Sequence, residues 1–284
     1  PCARSTPARA TTTAMLDLLL EPLSEPFFVR ALLAVALGGV TCACLGAYVV
    51  LRRMAFVSTA LTHSILPGVV GAMLLGFSPY LGALAAALLT AGGAAWLASR
   101  KGASEDSAIG VMLSVMFAAG VALMQQANSW RDFAGLLFGS VVAVGAADLW
   151  VIALTAVGVL FGLRVLHKEL ELASFDEEYA SLLGARPGLM RVVLLALVAL
   201  GAVSCVSLVG ALLTTALFVI PAATGVLLGR TVPQVMAWGV GCALAGGVAG
   251  LYLSYYLPAV PSGAGIVLCC ALPYLLARLF APRR

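Results

Sequence analysis

Only two histidines, His63 and His167, and two lysines, Lys101 and Lys168, occur in the 284-residue chain. Few side chains are therefore equipped for acid–base or metal chemistry. His63 lies in MAFVSTALTHSILPG (54–68), at the start of a stretch without Asp, Glu, Lys or Arg that runs to residue 99. Ten residues beyond Arg53, it is about 15 Å along a helix, near the middle of a hydrocarbon layer. Pro67, four residues on and followed by Gly68, cannot donate to the His63 carbonyl, so a helix break with that carbonyl bared is expected. Thr59 shares the His63 face at helical spacing, with Thr62 and Ser64 flanking it. An imidazole, a carbonyl and hydroxyls suit a transient site for a divalent cation. A lone histidine also serves packing; depth in the layer and a broken helix set a substrate-path reading beside that one.

Two further prolines raise the same question. Pro221 in LLTTALFVIPAATG (212–225) frees the carbonyl of Leu217 beside Thr214 and Thr215, and Pro273 does so for Cys269. Both are read as candidate breaks, Pro221 as one lining the path, with kinks that serve packing as the alternative.

These groups need elements to hold them, and the composition says which. Apolar residues make up 62% and charged residues 10% of the chain, less than half the charged share of a soluble domain, so a water-soluble fold is excluded. Between 192 and 277 only Arg230 is charged. Apolar stretches run Phe27–Leu51, Phe56–Phe77, Tyr80–Ser99, Ala108–Met124, Leu149–Leu166, Val192–Val206, Leu208–Gly229, Val235–Tyr256 and Gly263–Phe280. They predict an all-α polytopic membrane protein of eight to nine spans, Val192–Val206 being short. Phe133–Ala147, broken by Gly135, Gly139 and Gly145, is expected to be re-entrant or interfacial. Residues 1–14 read as a disordered extension ahead of Met15, with 15–284 the membrane domain. No cleavable signal peptide is evident. Cys42, Cys44, Cys205, Cys242, Cys269 and Cys270 lie in apolar tracts, no CxxC occurs, and they read as small packing residues.

Basic residues test the alternation of nine spans. One side collects Arg52, Arg53, Arg100, Lys101, Arg164, Lys168, Arg186, Arg191, Arg230, Arg278, Arg283 and Arg284, which is twelve of sixteen. The other has Arg4, Arg9, Arg30 and Arg131. The richer side, with the C-terminus, is expected to be cytoplasmic and the N-terminus outside.

Leu166 to Met190 holds five of the twelve acidic residues. Ser174 is expected to cap a helix of about ten residues with Glu177 at its third position, ended by Gly184 and Pro187. Phe175, Tyr179, Leu182 and Leu183 would stand between Asp176, Glu177 and Glu178. A solvated amphipathic helix is the plain reading. A docking knob for a cytoplasmic partner is preferred, because an aromatic pair is costly to leave wet.

The runs MAFVSTALTHSILPG (54–68), LLFGS (136–140), ELELASFDEEYASLLG (169–184), VSLVGALLTTALFVIPAATGVLL (206–228) and LYLSYYLPAVPSGAGIVL (251–268) resemble, in order, the landmarks of the ABC-3 family of metal-ion permeases, the membrane subunits of bacterial manganese, zinc and iron importers. The resemblance implies a permease that pairs with itself or a paralogue in the bacterial plasma membrane. It also implies two cytoplasmic ATPase subunits, an extracytoplasmic metal-binding protein, a divalent metal as cargo and no resident cofactor. His63 carries over as a metal contact, and residues 175–184 as the coupling segment. At 59–63 the family has Asp-Ala-Leu-Ser-His, whereas this chain has Thr59-Ala60-Leu61-Thr62-His63. Loss of the carboxylate removes the ligand that Mn²⁺ prefers and tilts the site toward Zn²⁺.

No GxxxxGK[ST] occurs, so nucleotide hydrolysis falls to another chain. An ion-coupled secondary metal transporter without an ATPase is the alternative. It calls for buried carboxylates, and only Asp148, at a span margin, approaches that. An intramembrane enzyme is weakest: there is no HExxH, and His167-Lys168-Glu169 falls in the polar segment.

Overall fold

A computed structural model describes residues 20–100, 104–127, 144–175, 177–184, 186–257 and 260–280. Among these residues, nine helical spans are long and apolar enough to cross a bilayer. They are α1 (Pro26–Leu51), α2 (Phe56–Ser64) with α3 (Leu66–Leu75), α4 (Pro79–Ala98), α5 (Glu105–Ala127), α6 (Ala146–Phe175), α8 (Pro187–Val209), α9 (Ala211–Leu228), α10 (Val232–Tyr256) and α11 (Ser262–Phe280). The short α7 (Glu177–Leu182) follows α6 and does not cross. The all-α polytopic architecture is thus the expected one, with the second span built from two helices.

Small residues set the packing, as they do where lipid offers no hydrophobic drive between helices. α1 lies against α9 and α10, with α11 on their far side; α3, α4 and α5 form a second group joined by α8, and α6 runs along α1 and α8. Where α3 crosses α4, a Cβ built on Gly68 would overlap the carbonyl oxygen of Gly82, and one on Gly82 would overlap that of Gly68. Only glycine permits this approach. Gly210 joins α8 to α9 at φ 85°, ψ 160°, a backbone region reserved for glycine.

The ends of the spans are tied in two sets. Arg191 on α8 pairs with Glu105 at the start of α5, and Nε of Arg52 at the end of α1 donates to Ser174 Oγ near the end of α6 (2.9 Å). At the opposite ends, Tyr80 Oη donates to Asp148 Oδ1 (2.9 Å), and Asp148 Oδ2 receives the Gly145 N–H (3.1 Å). Asp148 therefore serves the first turn of α6, completing half of a capping box.

Several boundaries differ from the sequence expectation. The short stretch Val192–Val206 belongs to the 23-residue α8, because Pro187 opens the helix and the Arg191 charge is taken up by Glu105. The fifth span runs 30 residues rather than stopping at Leu166. Most of the expected re-entrant piece Phe133–Ala147, including LLFGS, lies outside the described residues; Ala146 and Ala147 belong to α6. Residues 1–14 also lie outside them.

Candidate functional site

The second span is broken at Ile65. α2 ends at Ser64, and Leu66 and Pro67 open α3, where the missing proline N–H falls among first-turn groups that have no intrahelical partner anyway. The Ile65 carbonyl accepts both Gly68 N–H (3.0 Å) and Val69 N–H (3.1 Å). The His63 carbonyl is not left bare, as the sequence suggested, because the Ile65 N–H turns back to it. Gly120 on α5 covers the break: a Cβ there would come within 2.9 Å of Leu66 and 3.0 Å of the Pro67 nitrogen.

The side chains of α2 separate into two faces. Thr62 is 3% exposed, and its hydroxyl donates to the Thr59 carbonyl (3.0 Å), while Ser58 and Ser64 donate likewise to Ala55 and Leu61. Thr62 is therefore turned into the bundle, about 100° around the helix from its neighbour His63. Thr59 and His63 are half-buried and share the other face, continued by Phe56, which is 44% exposed. The His63 ring meets Phe117 of α5 edge-on, with centroids 6.3 Å apart and planes at 88°. Among the described residues neither ring nitrogen of His63 has a hydrogen-bond partner, and no three His, Cys, Asp or Glu side chains converge as a metal cluster. On the other flank of the break, an apolar groove of about 460 Å³ runs past Pro67, Gly68, Gly71, Gly82 and Met116. Among the lining residues only Met116 brings a side-chain donor atom, a thioether sulfur poorly matched to a hard cation such as Mn²⁺.

Pro221 does not break its span. It is buried inside the continuous α9, with its carbonyl 3.2 Å from where a Cβ on Gly239 of α10 would stand. Pro273 likewise lies within α11.

The polar segment also differs in detail. Residues 166–175 continue α6, and Ser174 is not a helix cap: its hydroxyl donates to the Leu170 carbonyl while accepting from Arg52. Being inside a helix, Ser174 bonds back one turn instead of forward. The helix expected over about ten residues is the six-residue α7. Asp176 lies outside the described residues. Phe175, Tyr179, Leu182 and Leu183 are all exposed, Leu182 at 82%, and Glu178 is exposed beside them. Gly184 takes φ +82° and closes the knob ahead of Pro187. Tyr48 and His167 form a hydrogen bond that sequence reading missed, because 119 residues separate them.

Nine apolar spans among the described residues, one of them broken beside its only imidazole, with an exposed apolar knob after the longest, define a multi-pass membrane protein. Residues 24–281 match the ABC 3 transport family. The chain belongs to this family: it is the membrane permease of an ABC transporter and not itself catalytic. It is 32% identical to the manganese transport system membrane protein MntC of Halalkalibacterium halodurans, over 92% of this chain and 90% of that one. To a probable iron transport system membrane protein of Haemophilus influenzae it is 31% identical, covering 95% and 99% of the two chains. Among solved structures, PsaBC from Streptococcus pneumoniae in complex with Fab superposes with a TM-score of 0.83 at 27% identity, over 94% of this chain and 96% of that one.

Proposed function

We propose that this permease of an ABC metal importer carries a divalent first-row metal along the face of α2 that bears Thr59 and His63. The observation that carries the reading is the half-exposed position of these two side chains beside the break at Ile65. The eight buried hydroxyls of Thr41, Ser58, Thr62, Ser64, Thr90, Ser204, Thr214 and Thr224 all donate to carbonyls of their own helices or the turns that open them. Among the described residues these hydroxyls thus keep their protons within their own helices, which favours packing roles for them rather than the path role given to Thr59 and His63. A second copy of the permease facing α2 would complete a path from which the cargo can leave as readily as it enters, since neutral ligands hold a cation weakly.

The relatives are named for manganese transport and for probable iron transport, and we assign Mn²⁺ and Fe²⁺ first. Zinc is the second reading, favoured by Thr59 standing where the family's carboxylate would bind a hard ion. Residues 175–184, with Phe175, Asp176, Glu177, Glu178, Tyr179, Leu183 and Gly184, seat a cytoplasmic ATPase, two copies serving the dimer. A metal-binding protein delivers the ion from the opposite side. The richer basic side is cytoplasmic in a bacterial plasma membrane; the ties Arg52–Ser174 and Arg191–Glu105 on one side and Tyr80–Asp148 on the other support the alternation behind that count.

The test is uptake and ATP hydrolysis by the permease reconstituted in vesicles with its ATPase and binding protein, run across Mn²⁺, Fe²⁺ and Zn²⁺. Uptake that requires ATP and is greatest for Mn²⁺ or Fe²⁺ is expected. Uptake driven by an ion gradient without ATP would return the reading to a secondary transporter.

A further inference from the structure

We propose that the hydrogen bonds Tyr48–His167 and Arg52–Ser174 fasten the ATPase-side end of α6 to the end of α1 and so carry movement from α7 to α2; the inference rests on the docking role given to α7. A 30-residue helix is about 45 Å long, roughly 15 Å more than the hydrocarbon core, so the last turns of α6 project beyond the bilayer. α7 follows that projecting end one residue later in the chain and packs chiefly against it.

Two side-chain bonds hold the projection to α1. Tyr48 is fully buried, and a buried phenol needs a partner. It finds Nδ1 of His167, whose ring stands edge-on to it at 6.3 Å between centroids. On the far side of the imidazole, Nε2 faces Glu171 Oε2 at 3.6 Å. A neutral ring that accepts from Tyr48 at Nδ1 carries its proton on Nε2, toward the carboxylate, so both neighbours favour one tautomer. One turn beyond Tyr48, Arg52 Nε donates to Ser174 Oγ at 2.9 Å.

The end of α1 is joined stiffly to the helix that carries His63. Arg53 takes the left-handed conformation, φ 58°, with its N–H on the Val50 carbonyl (3.0 Å), while Met54 N–H reaches the Val49 carbonyl (2.8 Å). This is a closed helix-ending motif with an arginine where glycine is usual. Met54 in turn accepts the N–H of Val57 in the first turn of α2 (2.9 Å). From α7 to His63 the connection therefore runs through α6, the two bonds, this corner and two turns of α2. Tyr48, His167, Arg52 and Ser174 are positioning residues for transport, remote from the ion.

The experiment uses the full permease–ATPase complex in vesicles, with Mn²⁺ as probe. It reads ATPase co-purification, ATP hydrolysis and uptake in the same preparations of wild type, Tyr48→Phe, His167→Leu and His167→Asn. In Tyr48→Phe and His167→Leu, bound ATPase and hydrolysis should stay near wild type while ions moved per ATP fall about fivefold, the worth of one such hydrogen bond. His167→Asn, which keeps an acceptor near the Nδ1 position, should recover most of the ratio. An unchanged ratio, or hydrolysis and uptake falling together, overturns the inference. Should Tyr48→Phe lose its fold, Ser174→Ala, in the half-buried Arg52–Ser174 bond of the same junction, carries the same expectation and the same refutation. A wild-type complex that moves Mn²⁺ without the ATPase seated at α7 overturns the docking role itself, and this inference with it.

Discussion

Gly68→Ala should weaken the protein where Gly71→Ala, one turn along the same helix, should not. A Cβ on Gly68 would stand 2.6 Å from the Cβ of Ala86 and overlap the Gly82 carbonyl oxygen, a backbone atom that cannot swing aside. Restoring an ordinary contact needs α3 and α4 to part by about 1.4 Å, and overpacking of this kind costs roughly 1–3 kcal/mol. The better helix propensity of alanine returns up to about 1 kcal/mol, leaving a net loss of about 0–2 kcal/mol, toward the upper end here because the obstructing atom is backbone. At roughly 2–4 °C per kcal/mol, the detergent-solubilised permease should melt several degrees lower. Gly71 has nothing within 4 Å of its would-be Cβ, so its alanine keeps only the propensity gain and should melt at or slightly above wild type. Gly82→Ala should mimic Gly68→Ala, and the double variant should cost less than the sum, because both changes pry open one contact. Equal melting of Gly68→Ala and Gly71→Ala would refute the crossing as described.

The site gives three more expectations. His63→Ala should slow uptake at limiting metal while the external binding protein still captures the ion, and Thr59→Asp should tighten binding and shift preference toward Mn²⁺; unchanged uptake and selectivity would make His63 structural. Charge reversal of Asp176, Glu177 and Glu178 should release the ATPase while membrane insertion persists, which co-purification from membranes checks. A single cysteine at position 178 should resist impermeant reagents in intact cells and react in inverted vesicles; labelling from outside would overturn the assigned orientation.

The spans were legible because hydrocarbon thickness sets helix length and excludes charge, so runs such as Phe27–Leu51 and Val235–Tyr256 announce themselves. Helix ends outside the hydrocarbon have no such ruler. Residues 166–175 are as polar as a loop, yet they continue α6, where Tyr48 and Arg52 of another span hold His167 and Ser174. Ser174 followed by Glu177 fits a helix start as well as the helix interior it occupies, and only the tie to Arg52 distinguishes the two. Of the metal-site residues, the four-residue spacing of Thr59 and His63 was enough to place them on one face, whereas Thr62, adjacent to His63, is turned inward.

The three prolines show where sequence stops and packing decides. Each removes one backbone donor, and by that measure Pro67, Pro221 and Pro273 are alike. Only Pro67 sits at a break, with Ile65 accepting two N–H groups at once and α3 starting afresh. At this place Gly68 and Gly82 let α3 lie backbone to backbone on α4, and Gly120 lets α5 close over Leu66 and the Pro67 nitrogen. The groups disturbed by the break are thereby covered by protein, which is the condition for irregular backbone at membrane depth. Pro221 also has close glycine neighbours, Gly239 of α10 at its own carbonyl and Gly46 of α1 at Phe218 and Ala222, yet its helix continues on both sides, so the chain there accepts a single lost bond and stays helical. At the break beside His63 three helices meet at Gly68, Gly82 and Gly120, so filling any one of these glycines should disturb the break and the fold together.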